Sequence, residues 1–279
     1  MTYLARYEAG EHEAVWVELR ALGNRALEAD ILSDARQVAD ATMRRVRANL
    51  QRIEAGLHAT GYAFLSSAPQ PLSADEAISA TRRAAEETVR NLGLDPATTA
   101  QLLASLDQTL GSAQLPCNSN DAPRESLRVS ALGDPGLYVD QLDRFERMAG
   151  PAPLALGSFW RIVGWADFTG RSPTVDATRT LAQPLVVMPP AMLADDYEAH
   201  VEDNGSAAGF MIELVADAAE TDLNPLAEVP MTSATDVRLP DGEWFVDYLR
   251  RATRAAAFPG LGPKLPQELA KIAMAWEPF

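Results

Sequence analysis

Pro184-Leu185-Val186-Val187-Met188-Pro189 is the stretch on which the class of fold turns. Four apolar residues bounded by proline are too short a run for a buried helix, and they fit a strand covered on both faces. Gly209-Phe210-Met211-Ile212-Glu213-Leu214-Val215 is a second such run, and residues 234–239 are a third, ended by Pro240-Asp241-Gly242. A helix follows from Glu243 to about Ala257 with Phe245, Tyr248 and Leu249 inward, and Phe258-Pro259-Gly260 stops it. Upstream, residues 138–145 read as helix. Beyond Pro151 and Pro153 a further short helix carries Phe159, Trp160 and Val163. The carboxyl-terminal half is therefore α+β, with a mainly antiparallel sheet.

The amino-terminal part is helical. Val15, Leu19, Leu22 and Ala26 recur at helical spacing, with Gly23 weakening the far end. Ser33 is a plausible N-cap for a helix through Val38, Thr42, Val46, Leu50, Ile53 and Leu57 to a stop at Gly61. Arg44, Arg45, Arg47 and Arg52 crowd its middle and read as a solvated side facing acids such as Asp40 and Glu54, with an anion-binding patch as the alternative. A short strand at residues 61–65 precedes the breaker Ser66-Ser67-Ala68-Pro69-Gln70-Pro71. Ser73-Ala74-Asp75-Glu76 is a capping box opening a helix to about Leu92, and Asp95-Pro96 opens another carrying Leu102, Leu103, Leu106 and Leu110, so residues 73–110 read as a helical hairpin. A polar connector follows, with one short strand at residues 127–132. The chain thus divides into a mainly helical region 1–115, a linker 116–136 and an acidic α+β domain 137–279, and no internal repeat is evident.

Composition narrows the functional classes. At about 100–200 residues per domain, 279 residues make one large domain or two small ones. With 24 basic and 39 acidic residues the net charge is −15, which is not the footprint of a nucleic-acid binder. Residues 137–279 hold 21 acids and 11 bases, so −10 of that charge belongs there. Hydrophobic content of 47% and charged content of 23% describe a chain that folds. The single cysteine, Cys117, excludes an internal disulfide framework and a Cys-based structural zinc site, and a reducing cytoplasm fits it. The first residues lack a secretory pattern, and charges interrupt every apolar segment well short of the ~20 residues of a membrane span. Lys264 and Lys271 are the only lysines, and the arginine and alanine bias suggests a GC-rich bacterial genome.

No motif fixes a reaction. His12, His58 and His200 are too scattered to seed a zinc site, and Asp195, Asp196, Glu198, Glu202 and Asp203 lack the alternating ligands and turning glycine of a calcium loop. Neither a phosphate-binding glycine loop nor a dinucleotide glycine pattern occurs. Gly157-Ser158 is not a nucleophile elbow, and Ser158 reads as an N-cap. No spacing selects a carboxylate pair for glycoside hydrolysis. Accordingly, no catalytic, cofactor-binding or metal-binding residue is assigned.

The aromatic residues say more. Phe159, Trp160, Trp165 and Phe168 fall within ten residues, interrupted by Gly157, Gly164 and Gly170. They read either as a helix end packed on a sheet, with Gly164 permitting the reversal, or as the floor of a partner cleft. Leu154-Ala155-Leu156-Gly157-Ser158-Phe159-Trp160-Arg161-Ile162-Val163-Gly164, followed by Phe168-Thr169-Gly170, resembles the small helix, aromatic and glycine turn of the SUKH superfamily, which includes bacterial immunity proteins and yeast cell-wall assembly regulators. The resemblance spans roughly residues 138–260. It takes residues 184–189, 210–215 and 234–239 as successive strands and Trp244-Phe245-Val246-Asp247-Tyr248-Leu249 as the closing helix. It implies an α+β protein-binding domain, often neutralising a toxin by covering its surface, with no catalytic set.

The sequence thus leads to a non-enzymatic, cytoplasmic binding protein of the immunity or accessory kind. Its contact residues are expected to be Trp160, Trp165 and Phe168 as aromatic anchors, with Asp195, Asp196 and Glu198 steering a basic partner such as a toxin or nuclease. Two alternatives stay open: an enzyme with a carboxylate-based site, such as a hydrolase, and an oligomeric regulatory subunit that self-associates through residues 73–110.

Overall fold

The computed structural model of the chain describes residues 1–65, 127–171, 184–216, 226–231 and 233–279. The expected hairpin at residues 73–110, Cys117 and the first part of the expected linker lie outside them.

The longest element is set by apolar spacing. Ala35, Val38, Ala39, Thr42, Met43, Val46, Leu50, Ile53 and Leu57 fall at steps of three and four and form one buried stripe on α3 (Ala29–Ala59), a helix about 46 Å long. Its N-cap is Glu28, and Ser33 lies inside it, where the hydroxyl accepts from Gln37 Nε2. The expected N-cap was one turn late because the apolar stripe, unlike the helix, begins there. Before it come α1 (Tyr3–Glu8), α2 (His12–Leu22) and a 3-10 turn (Gly23–Leu27). Trp16 of α2 is buried and donates Nε1–H to Thr42 Oγ1 at 3.0 Å, which satisfies the one polar atom of a core indole.

After α3 the chain extends into β1 (Ala63–Leu65), which lies between β2 (Leu127–Arg128) and β4 (Gly170–Arg171) in an antiparallel three-stranded sheet. Then come α4 (Val139–Ala149), α5 (Leu154–Ile162) and β3 (Ala166–Asp167). A second antiparallel sheet runs β3, β5 (Val186–Val187), β6 (Met211–Ala216), β7 (Leu226–Pro230), with α6 (Leu193–Asn204) between β5 and β6 and a bulge between Glu213 and Val215. The chain closes with α7 (Phe245–Arg254), a 3-10 turn (Pro259–Lys264) and α8 (Gln267–Ala273). Helices plus antiparallel sheets make the fold α+β.

Residues 1–65 and 127–279 form one compact unit with a shared core. The helical part and the α+β part distinguished in the sequence meet along α3, which packs on α5, α7 and α8. Polar groups join them too. Arg47 donates to the Ile162 carbonyl at the end of α5, and Asn49 exchanges two hydrogen bonds with the backbone of Glu277, at 2.8 and 2.7 Å. Arg45 meets His12 and the Pro278 carbonyl, and Arg52 pairs with Glu277. The arginines expected on a solvated face are therefore mostly joints between segments; Arg44 and Arg52 are the exposed ones, and Arg44 alone joins no other segment, lying 4.0 Å from Asp40 on its own helix.

Two further expectations need correction. Residues 234–239 are not a strand. Their carbonyls accept from Leu154 N and Ala155 N at the start of α5 and from Phe245 N at the start of α7, so the segment caps two helices while β7 supplies the sheet edge. Ser158 is not an N-cap either: it sits inside α5, where Pro153 is the cap, and donates to Asp40 Oδ1 at 2.7 Å.

Candidate functional site

Among the described residues, the elements around the second sheet leave an open groove. Pro189 and Pro190 keep residues 188–192 out of helix and strand until α6 begins at Leu193, and this turn stands away from the outer face of β6. The space between has a volume of about 430 Å³. Trp160 lies at its floor, 3% exposed, and its Nε1–H donates to the Met188 carbonyl at 3.0 Å, so a core indole fixes the turn. Met192 and Met211 stand on the walls, 56% and 43% exposed, which is unusual for such large apolar side chains. Phe210 closes one end against the edges of Tyr197 and His200, at ring separations of 5.1 and 5.5 Å. Past Trp160 and Pro190 the groove adjoins a recess lined by Pro135, Tyr138 and Val139, beside the exposed Leu137.

Its rim is acidic. Asp196 and Glu213 line it, and Glu202 and Asp203 lie further along α6; all four are exposed and none pairs with a cation among the described residues. The other two acids expected to face a partner are used internally. Arg144 of α4 forks between Asp195, at 2.5 Å, and Glu198, and Gln141 also reaches Asp195, so these carboxylates hold α4 against α6.

Of the six residues expected at the site, the structure brings Trp160 and Asp196 together on this groove. Phe168 does not join them. It is fully buried, edge-on to Phe64 at 5.8 Å, with its backbone bonded to Leu185. Trp165 is half-buried and lies against Gly133, where a Cβ would come within 1.8 Å of the indole nitrogen, and the Arg128 guanidinium lies over its ring at 5.4 Å. Phe168 and Trp165 are thus packing residues, because the reversal at Gly164, whose φ is +89°, turns the chain inward beneath residues 134–135. The methionines carry no expectation in the sequence, although Met188 and Met211 lie within the two apolar runs and Met192 three residues after the first.

A second charged cluster lies elsewhere. Asp236 is fully buried, accepts two hydrogen bonds from Arg20 at 3.0 and 2.8 Å and one from Val237 N, and burial still raises its pKa from 3.8 to about 6. Arg20 also bonds Asp247 at 2.9 Å, and Arg250 approaches the same carboxylate at 2.6 Å. Asp236 is sealed from solvent and so is no acid or base for a substrate. Among the described residues no group of three His, Cys, Asp or Glu side chains is placed to hold a metal, and no helix is long and apolar enough to cross a membrane. Compared with known proteins, the chain matches no family model, no curated protein and no solved structure.

Proposed function

We propose that this is a non-enzymatic binding module that takes a basic, apolar-faced segment of a partner protein into the groove between the 188–192 turn, α6 and β6. The observation that carries this is the pairing of exposed methionines with unpaired rim carboxylates over a fixed tryptophan floor. Methionine side chains are unbranched and polarizable, so they adapt to a partner's apolar contour and favour recognition of a helix face or loop over a small rigid ligand. The unpaired acids, in a chain of net charge −15, attract and orient cationic partners. This reading accords with the resemblance of residues 138–260 to SUKH domains and with an immunity or accessory role toward a basic toxin or nuclease, in the cytoplasm.

A designed Lys/Leu amphipathic helix and its Glu/Leu counterpart, followed by fluorescence anisotropy, test it. The Lys/Leu peptide is expected to bind, more weakly at 500 mM than at 50 mM salt. Reversing Asp196 and Glu213 together to lysine should reduce its affinity by about tenfold or more, and Met192→Asp should abolish binding while leaving the melting temperature unchanged. Equal binding of both peptides, or of neither, would overturn the assignment. Alanine at Trp165 or Phe168 is expected to report on folding alone.

A further inference from the structure

A second cleft shares no residue with the groove. It opens between α2 and α7 with a volume of about 610 Å³, and four arginines line it: Arg20 from α2, and Arg250, Arg251 and Arg254 from the end of α7. With 24 bases against 39 acids, such convergence runs counter to composition. The helix dipole favours cations at a C-terminus, which accounts for three of the four. It does not account for Arg20, which comes from another helix.

The partners of each guanidinium separate the structural cations from the available ones. Each nitrogen of Arg20 donates to Asp236 or Asp247. Arg251 forks onto Glu243 and reaches the Pro259 carbonyl. Arg254 is different: it lies 3.7 Å from Glu13, beyond hydrogen-bond length, with both side chains more than half exposed, and rests 4.8 Å over the Trp276 ring. Arg250 is different as well. Only 4% exposed, it donates Nε–H to the Phe279 carbonyl and Nη1–H to Asp247, and its buried Nη2 has no acceptor among the described residues. Folded proteins rarely leave a buried charged donor unfilled, so a missing acceptor on a residue that lines a cleft is a sign of a ligand.

We propose that this cleft binds a phosphate monoester, with the phosphoryl oxygens seated between Arg250 and Arg254 and displacing Glu13. The Arg250 and Arg254 guanidinium groups, four residues apart on α7, together offer donors to more oxygens than the two that a planar carboxylate presents. With Glu13 displaced, the four guanidinium groups face Asp236, Asp247 and Glu243, which leaves one positive charge to be met. The volume exceeds that of a bare ion and falls in the range of small-metabolite sites. Asp247 and Glu243 remain as acceptors for hydroxyl groups on the organic part, which makes a phosphorylated polyol the fitting class.

Isothermal titration of the full chain at pH 7.5 and constant ionic strength tests this with three probes: inorganic phosphate, glycerol 3-phosphate and succinate. Glycerol 3-phosphate is expected to bind tightest and succinate weakest. Arg254→Gln should lower glycerol 3-phosphate affinity by about tenfold or more, and Glu13→Gln, which removes the competing carboxylate, should raise it several-fold. Both positions are exposed, and an unchanged melting temperature confirms that each variant is folded. Absence of heat with both phosphates, tighter binding of succinate, or affinities indifferent to both substitutions would overturn the proposal. Inorganic phosphate binding as tightly as the ester would overturn the ester and assign the site to the free ion.

Discussion

Asp236 carries the clearest pH signature at the scale of single residues. Its carboxyl titrates at about 6 in the folded chain against an ordinary value of 3.8, because removing the charged form from water costs more than Arg20 returns. Between those values the folded state holds a proton that the unfolded state has released. The resulting stabilisation is complete below pH 3.8 and is lost as the pH rises through 6, and it amounts to something on the order of 3 kcal/mol. Asparagine cannot titrate, so urea unfolding of wild type and Asp236→Asn at pH 4 and pH 6.5 isolates the effect: the difference should move in favour of the variant by about 2 kcal/mol as the pH rises. A pH-independent difference would refute it. None of this was visible in Ala234-Thr235-Asp236-Val237, where an aspartate in an apolar run reads as the polar face of a strand. The aromatic cluster at residues 159–168 hides its burial in a related way. Sequence spacing shows that large rings are near one another, but Gly164 decides which of them face water.

At the scale of elements, helices were legible and strands were less so. The stripe from Ala35 to Leu57 states the 3.6-residue period of α3 many times over, whereas β2, β3, β4 and β5 have two residues each and contain no period at all. Such strands exist because their partners are in place. β7 shows this most plainly: Leu-Ala-Glu-Val-Pro has little strand character, and register with β6 makes it an edge. The apolar run at 234–239, by contrast, spends its carbonyls on the starts of α5 and α7. A buried asparagine on an apolar stripe was the other unread signal. Asn49 ties α3 to Glu277, and Asn49→Ala should leave the Glu277 backbone groups without partners, costing about 2 kcal/mol. Hydrogen exchange should then quicken at residues 274–279 and stay slow at α5. Uniform exchange changes across the molecule would show that Asn49 is no local tie.

At the scale of the molecule, the division by charge and composition does not follow the core. Residues 1–65 are nearly neutral, with nine acids and eight bases, and 137–279 carry most of the acidity, yet one hydrophobic cluster runs through both. A chain reduced to residues 137–279 would expose the faces of α5 and α7 that α3 covers, and β4 would lose β1. It should therefore show no cooperative thermal transition, whereas the full chain should lose the near-ultraviolet signals of Trp16 and Trp160 together. A sharp transition in the fragment would restore the two-domain reading.

The position of β1 between β2 and β4 bears on how the protein is made. Its two neighbours lie about 60 and 105 residues further along the chain, and α5, against which α3 packs, ends 103 residues after α3 does. At the ~5–20 residues per second of synthesis, the apolar side of α3 waits roughly 5–20 s in the cell before its cover has been translated. The nascent amino-terminal region is thus a helix with an unprotected greasy flank for that interval, and the time during which this protein most needs a chaperone is set by its topology.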